Sequence, residues 1–395
     1  MKEPIETART TKRSLTACIL MMGVTGVSAC GTSDGDSPAG IAEGKAALIA
    51  GDCETAAGAF GRSSSPEGRV GEAVARSMCL AQHEFVDSVL SDLRQGGFRS
   101  PDFFGPDGAF ARAERDDEFT GLHPFLDDPD RIAEAFASLG DEITVEGWLD
   151  RAGGFLDELR EISRLFEEGG RGEGVVFQFP KRSVGLAGQI DVAASDALFA
   201  AAAFAVTESG LRLARSFGAD IRINRFCADE ECSLDDAAAR ALTRELNTGL
   251  GASEDDLSPA RSRMNDAFTL VLRGIEAASG SGLIVRTRGT EPALDYLEDL
   301  VRAAQTSLAD GATEAPGINP VFTFDLREAF TNPPDPSGAS VDPFVGELEF
   351  VETWAEEMIA PLSNIDLDTS YDVVEDERVG DGLDAWGEHL ETIGE

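Results

Sequence analysis

The stretch "GKAALIAGDCETAAGAFGRSSSPEGRVGEAVARSMCLAQ", residues 44–82, decides how this chain is expected to fold. Ala47, Leu48, Ala56, Phe60, Val70, Val74 and Met78 fall three or four residues apart within each run, the period of one helix face. Gly51-Asp52 breaks the first run. Ser65-Pro66-Glu67 then offers a capping hydroxyl, a proline at the first helical position and an acid in the first turn, so a fresh helix opens there. Helices joined this tightly lie antiparallel. The fold class that follows is mainly α, with an N-terminal helical hairpin over residues 41–95 packed on a helical body.

The segment "AGDCETAAGAF" is similar to a tetratricopeptide-type unit, matching its Gly-Asp, Ala and Phe positions, with Cys53 where that family usually carries an aromatic. The departure has a physical reading. Cys53 opens one helix and Cys79 ends the next, and an antiparallel hairpin brings those ends together, so a Cys53–Cys79 disulfide is expected. No clear second copy follows at the family's period of about 34 residues.

Residues 96–130, rich in Gly, Pro, Asp and Phe, read as a long loop, and loops of that length in compact domains are often functional. The body, 131–395, begins with two apolar stripes, Ile132-Phe136-Leu139 and then Trp148 to Phe166. Val175 to Phe179, ended by Pro180, reads as a strand. Ala197 to Val206 is almost uninterruptedly apolar, which places the helix from Asp196 to Phe217 at the centre of the core; it is too short and too acid-flanked for a membrane span. Asp220 to Ile223 is a second strand or merely extended. Helices are expected near 234–247, 258–278, 292–309, 345–359 and 382–392, with a proline-rich loop from 311 to 345.

At the other end of the chain, Arg9, Lys12 and Arg13 precede an uncharged run from Leu15 to Ala29, the layout of a secretory signal over residues 1–29. Val27-Ser28-Ala29-Cys30 resembles the lipobox of bacterial lipoproteins. That resemblance implies acylation of Cys30, cleavage before it and stable membrane anchoring through several acyl chains. Gly31, rather than Asp, in the next place implies the outer membrane by that family's usual rule. An ordinary signal peptide with a chance cysteine is the alternative. Residues 30–40 read as a lipidated flexible tether. The whole order of elements resembles secreted bacterial lipoproteins of unassigned activity, from which no catalytic motif carries over.

Charge narrows the partners. Without residues 1–29 the chain keeps 29 basic and 71 acidic residues, a formal charge of −42, and only Lys45 and Lys181 remain as lysines. Such a chain repels nucleic acid and anionic lipid surfaces. The balance suits salty water, where repulsion is screened within a few ångströms. Apart from Cys18 in the signal and Cys30, four cysteines remain, and an even number in an exported chain suggests disulfides. Cys227 and Cys232 can close a small loop, with a metal site as the alternative.

Catalytic signatures are missing from the sequence. His83, His123 and His389 form no usable pair, and neither a nucleophile elbow nor a phosphate loop is present. One stretch, "NIDLDTSYDVVE" at 364–375, has the oxygen spacing of an EF-hand calcium loop. Asn364, Asp366, Asp368, Ser370, Asp372 and Glu375 hold positions one, three, five, seven, nine and twelve. Thr369 stands where such a loop needs glycine, and a solvated acidic loop is the alternative reading. The leading expectation is therefore a membrane-tethered lipoprotein that acts as a helical protein-interaction scaffold, not an enzyme, with a protein partner and no cofactor unless calcium. The alternative is a solute-binding or transport-accessory lipoprotein, which needs a buried pocket with a few convergent polar groups; a pocket lined by Phe and Arg would favour it, and a shallow acidic groove would favour the scaffold. The third is a carboxylate hydrolase, which needs two buried acids within about 10 Å facing one cleft.

Overall fold

The computed structural model describes residues 38–96, 138–140, 142–184, 188–216, 222, 224, 254–319, 321–331, 372–373 and 377–394. These residues are mainly helical, with three two-stranded antiparallel pairings.

Helices α1 (Pro38–Ala50), α2 (Cys53–Phe60) and α3 (Pro66–Cys79) follow from the local signals in the sequence. α1 opens at Pro38, earlier than the edge expected at residue 41, because proline with its fixed φ suits a first helical position. It closes at Gly51, whose N–H bonds to the Ala47 carbonyl at 2.6 Å. Asp52 caps α2, its Oδ1 accepting from the Thr55 N–H at 2.9 Å. Ser65 caps α3, its Oγ accepting from the Gly68 N–H at 3.1 Å. Each cap satisfies a helix-end donor and is worth about 1 kcal/mol.

The α2–α3 hairpin brings the two thiols together. Cys53 and Cys79 are joined, with Cα atoms 5.6 Å apart and a sequence separation of 26. Cross-linking a loop of that length removes denatured-state freedom worth about 3 kcal/mol. A Cys53→Ala/Cys79→Ala chain should therefore unfold at a clearly lower urea concentration than the oxidised protein; equal midpoints would show that the bond adds nothing to stability.

Phe60 anchors the hairpin. It is fully buried and meets Phe177 edge-on at 5.7 Å. Gly44 and Gly71 make room for its ring: a Cβ at either position would sit within 2.6 Å of it. The hairpin does not stand apart from the body, since Phe60, Val70 and Val74 share one core with Ile162, Phe166, Phe177 and Leu198.

After α4 (Glu84–Gln95), α5 (Val145–Arg151) and α6 (Gly153–Gly169), strands β1 (Val175–Pro180) and β2 (Gln189–Ala193) form a hairpin with an irregularity between Val175 and Phe177. β2 runs directly into α7 (Ala194–Ser216), the centre of the molecule. Both α6 and α8 (Glu254–Ala277) pack against α7. Small residues allow this closeness. Ala197, Ala200, Ala201, Ala202 and Ala205 are all buried, Ser163 donates across to the Ala201 carbonyl at 2.8 Å, and Ser209 donates to the Ala260 carbonyl at 2.7 Å. Among the described residues α7 alone is long and apolar enough to cross a membrane, yet it packs against two helices and buries Asp196 and Glu208.

α9 (Glu291–Asp310) lies against α8, and the short strands β3 (Thr313–Glu314), β4 (Ile318–Asn319) and β5 (Thr323–Phe324) lead to α10 (Leu326–Thr331). β6 (Asp372–Val373) pairs with β4, and α11 (Glu377–Gly394) returns to pack on α9. A smaller cluster around Leu93 and Leu139 joins α4 to α5, where Asp92 accepts from Trp148 Nε1 at 2.9 Å and from Arg151 at 2.6 Å.

The strand expected at Val175 to Phe179 is present, and so are the helices expected near 258–278, 292–309 and 382–392. Of the Asp220 to Ile223 segment, Arg222 makes a single bridge to Thr144. The loop at 96–130 and the helices expected near 234–247 and 345–359 lie outside the described residues, save Gly96, which closes α4.

Candidate functional site

Three places on the body concentrate charge in ways that bear on function. The first is at the start of α7. Asp196 is buried in the first turn, and its carboxylate accepts three backbone N–H bonds: from Ala193 at 2.7 Å, Leu283 at 2.9 Å and Ile284 at 2.7 Å. The Ala193 bond closes the junction between β2 and α7. The other two tie in the connection between α8 and α9, residues 278–290. Gly282, at φ +96°, is required there, since a Cβ would come within 2.3 Å of Asp196 Oδ2. The C-terminal helix then hangs on the same connection, because Trp386 Nε1 donates to the Leu283 carbonyl at 3.0 Å and His389 Nε2 lies 2.8 Å from the Gly282 carbonyl. Burial pushes the Asp196 carboxyl up to about 6, with the three N–H bonds and the charge of His389 pulling the other way.

The second place is a carboxylate held by three arginines. Glu208, on α7, has no exposed surface. Its Oε1 accepts from Arg160 of α6 at 2.6 Å and from Arg212 at 2.9 Å, while Oε2 accepts from Arg263 of α8 at 2.6 Å. Arg263 also pairs with Asp266, and its Nη2 is buried with no hydrogen-bond partner. This cluster joins the three central helices by charge at a point where their alanine packing ends.

The third is a half-open groove of about 550 Å³ along α8 and α9. Arg273 of α8, Arg286 of the connection and Arg302 of α9 line it, with Thr269, Leu272, Glu276 and Glu298. Arg273 reaches Glu167 of α6 at 2.7 Å, Arg286 reaches Asp295 at 3.1 Å, and Arg302 reaches Glu298 at 2.7 Å. Burial raises the Glu167 carboxyl, but Arg273 and Arg171 outweigh that and hold it below the usual range.

These positions bear directly on the hydrolase expectation. Asp196 and Glu208 lie on one helix, roughly 18 Å apart at 1.5 Å per residue. Each is committed to its own partners, and they share no cleft. The two acids in the groove, Glu276 and Glu298, are not buried.

The residues singled out in the sequence are scattered. His83 caps α4, its Nδ1 accepting from the Phe85 N–H at 3.1 Å, and its ring meets Phe155 edge-on. His389 belongs to the Asp196 latch. Cys53 and Cys79 are the disulfide. Cys30, Cys227, Cys232 and His123 lie outside the described residues. So does the calcium set, Asn364, Asp366, Asp368, Ser370 and Glu375; Asp372 is placed only by its backbone, opposite Asn319. Among the described residues no three His, Cys, Asp or Glu side chains converge as a metal site. The arginine groove was not anticipated, because its residues are far apart in a sequence full of arginine–acid pairs. No family model, curated protein or solved structure matches this chain.

Proposed function

We propose that this chain is an exported lipoprotein, anchored to a bacterial outer membrane through Cys30, and that its helical stack acts as a protein-interaction scaffold. The observation that supports export is the Cys53–Cys79 bond, since disulfides persist in oxidising compartments and are rare in reduced ones. The lipobox-like Val27-Ser28-Ala29-Cys30 supports the anchor, and the α2–α3 hairpin, read as tetratricopeptide-like, supports the scaffold. Replacing Cys30 with Ser should move the protein out of the membrane fraction and abolish labelling by a fatty-acid analogue; labelling that persists in the variant refutes the anchor. For the scaffold, extraction in mild detergent at high salt should bring down an envelope protein in fixed proportion to the chain, and a chain that emerges alone counts against it.

A second reading is a solute-binding or transport-accessory lipoprotein, for which the groove between α8 and α9 supplies the expected arginines, though it is half-open and holds no phenylalanine. A polar-lined, half-open space of a few hundred Å³ is of the size that holds small molecules. In the same extraction, a chain that emerges without a protein companion but with a bound small molecule favours solute binding over the scaffold.

A further inference from the structure

By its own sequence α11 is a weak helix. Gly380, Gly382 and Gly387 fall inside it, and each interior glycine lowers the helical equilibrium by roughly a factor of five relative to alanine. Packing explains one of them. A Cβ on Gly382 would come within 3.0 Å of the Ala293 nitrogen on α9, whereas one on Gly380 or Gly387 would meet nothing within 4 Å. The helix also has no basic residue in its last turn to answer the carbonyls left open there. It lies on the surface: among its described residues only Val379 and Gly382 are buried, and Leu383 is exposed.

The body supplies what the helix lacks. Trp386 and His389 hang on the carbonyls of Leu283 and Gly282. At the far end the ammonium of Lys181, from the turn that follows β1, donates to the Ile393 carbonyl, and Lys181 is buried. At the near end β6, paired with β4, stands just ahead of the helix and roots it. Weak propensity, shallow burial and a few point anchors are the marks of an element that opens locally while the core stays folded.

We propose that α11 is a strap rooted at β6, which unravels and lifts while α6, α7 and α8 stay packed, and which in its closed form seals the Lys181 ammonium. Closed, the strap ties the connection between α8 and α9 to the turn after β1, two parts of the chain far apart in sequence. Open, it releases both at once and brings a primary amine into solvent. Beyond residue 12 the chain has only two lysines, Lys45 and Lys181, so that amine reports the state of the strap with little background.

The test is acetylation of the full chain, purified in mild detergent, by N-hydroxysuccinimide acetate, with each lysine read separately by peptide mass spectrometry. Lys45, paired with Glu67 and a quarter exposed, is the internal control, and Lys181 should react more slowly than it does. When opening and closing are fast, the Lys181 rate follows the open population. Gly380→Ala/Gly387→Ala strengthens the helix without touching a neighbour and should slow Lys181 at least about tenfold, leaving Lys45 unchanged. Glu208→Ala weakens the body at a site whose partners lie on α6, α7 and α8, and while still folded should leave the Lys181 rate as it was. Three results overturn the proposal: Lys181 reacting as fast as Lys45 in the unaltered chain, a Lys181 rate indifferent to the two alanines, or a rise of about a hundredfold in Glu208→Ala, which would route labelling through global unfolding.

Discussion

Replacing Asp196 with alanine should loosen the C-terminal helix first and lower the stability of the whole molecule. The substitution strands the N–H groups of Ala193, Leu283 and Ile284, and each unsatisfied buried donor costs about 1–3 kcal/mol. Partial water entry keeps the sum near the low end, so a loss of at least about 3 kcal/mol is expected. Amide exchange should show the damage locally: protection in 377–394 falls before that in α6, since Trp386 and His389 are held by the connection that Asp196 fixes. Uniform loss of protection would mean that the latch is not a separate unit.

The same carboxyl carries a pH signature. It titrates near 6 in the folded chain against an ordinary 3.8, so between those values the folded state holds its proton more firmly than the unfolded state does. Stability from this group is therefore greatest below about pH 4, declines as pH rises towards 6 and is level above. The whole change amounts to about 3 kcal/mol. His389 of α11 is the charged group that faces it. Because Glu161 and Glu167, whose carboxyls are lowered, act in the opposite direction at acid pH, the measurement is a difference. The stability of the unaltered chain minus that of Asp196→Asn should fall between pH 4 and 6; a flat difference would refute the titration.

Glu208→Ala is the second large effect. It removes the carboxylate that the mostly buried Arg212 and Arg263 share, leaving Arg263 only its half-exposed Asp266, and removing one side of a buried ion cluster costs about 3–5 kcal/mol. For a chain of this size the melting temperature should drop by on the order of 10 °C. The loss comes from stranded charge, not from a missing attraction, and a second substitution separates the two. Glu208→Leu/Arg263→Met removes charge from both sides, and also the buried Nη2 that already lacks a partner. It should melt above Glu208→Ala, and below the unaltered chain because Arg212 keeps its charge without Glu208. If the double variant is as unstable as the single one, the charge argument fails.

Much of the helical framework was legible from local chemistry. Asp52 and Ser65 mark helix starts by their side chains, and the apolar run from Ala197 to Val206 admits no exposed face, so a central helix was the one consistent reading. The two cysteines could be paired because the hairpin fixes where its ends lie. β2 escaped because "QIDVA" is brief and half polar; it is held as a strand by β1 and by the side-chain bond from Gln178 to Asp191 at 3.1 Å. The charged sites escaped for a different reason. Nothing local distinguishes Asp196 or Glu208 among 73 acids, and each becomes special only when a distant loop or helix is laid over it. Gly282 carried the one available signal, a glycine in a Ser-Gly-Ser-Gly turn, but a turn glycine does not announce what approaches it.

The covalent link between the first residue of α2 and the last of α3 turns residues 53–79 into a closed ring. A protease that cuts the turn between those helices, at Ser64 on its exposed rim, would not free either piece. The severed chain would migrate as one species until a reductant is added, and its new ends would stay side by side. Damage at that corner is thus held in place by the molecule itself.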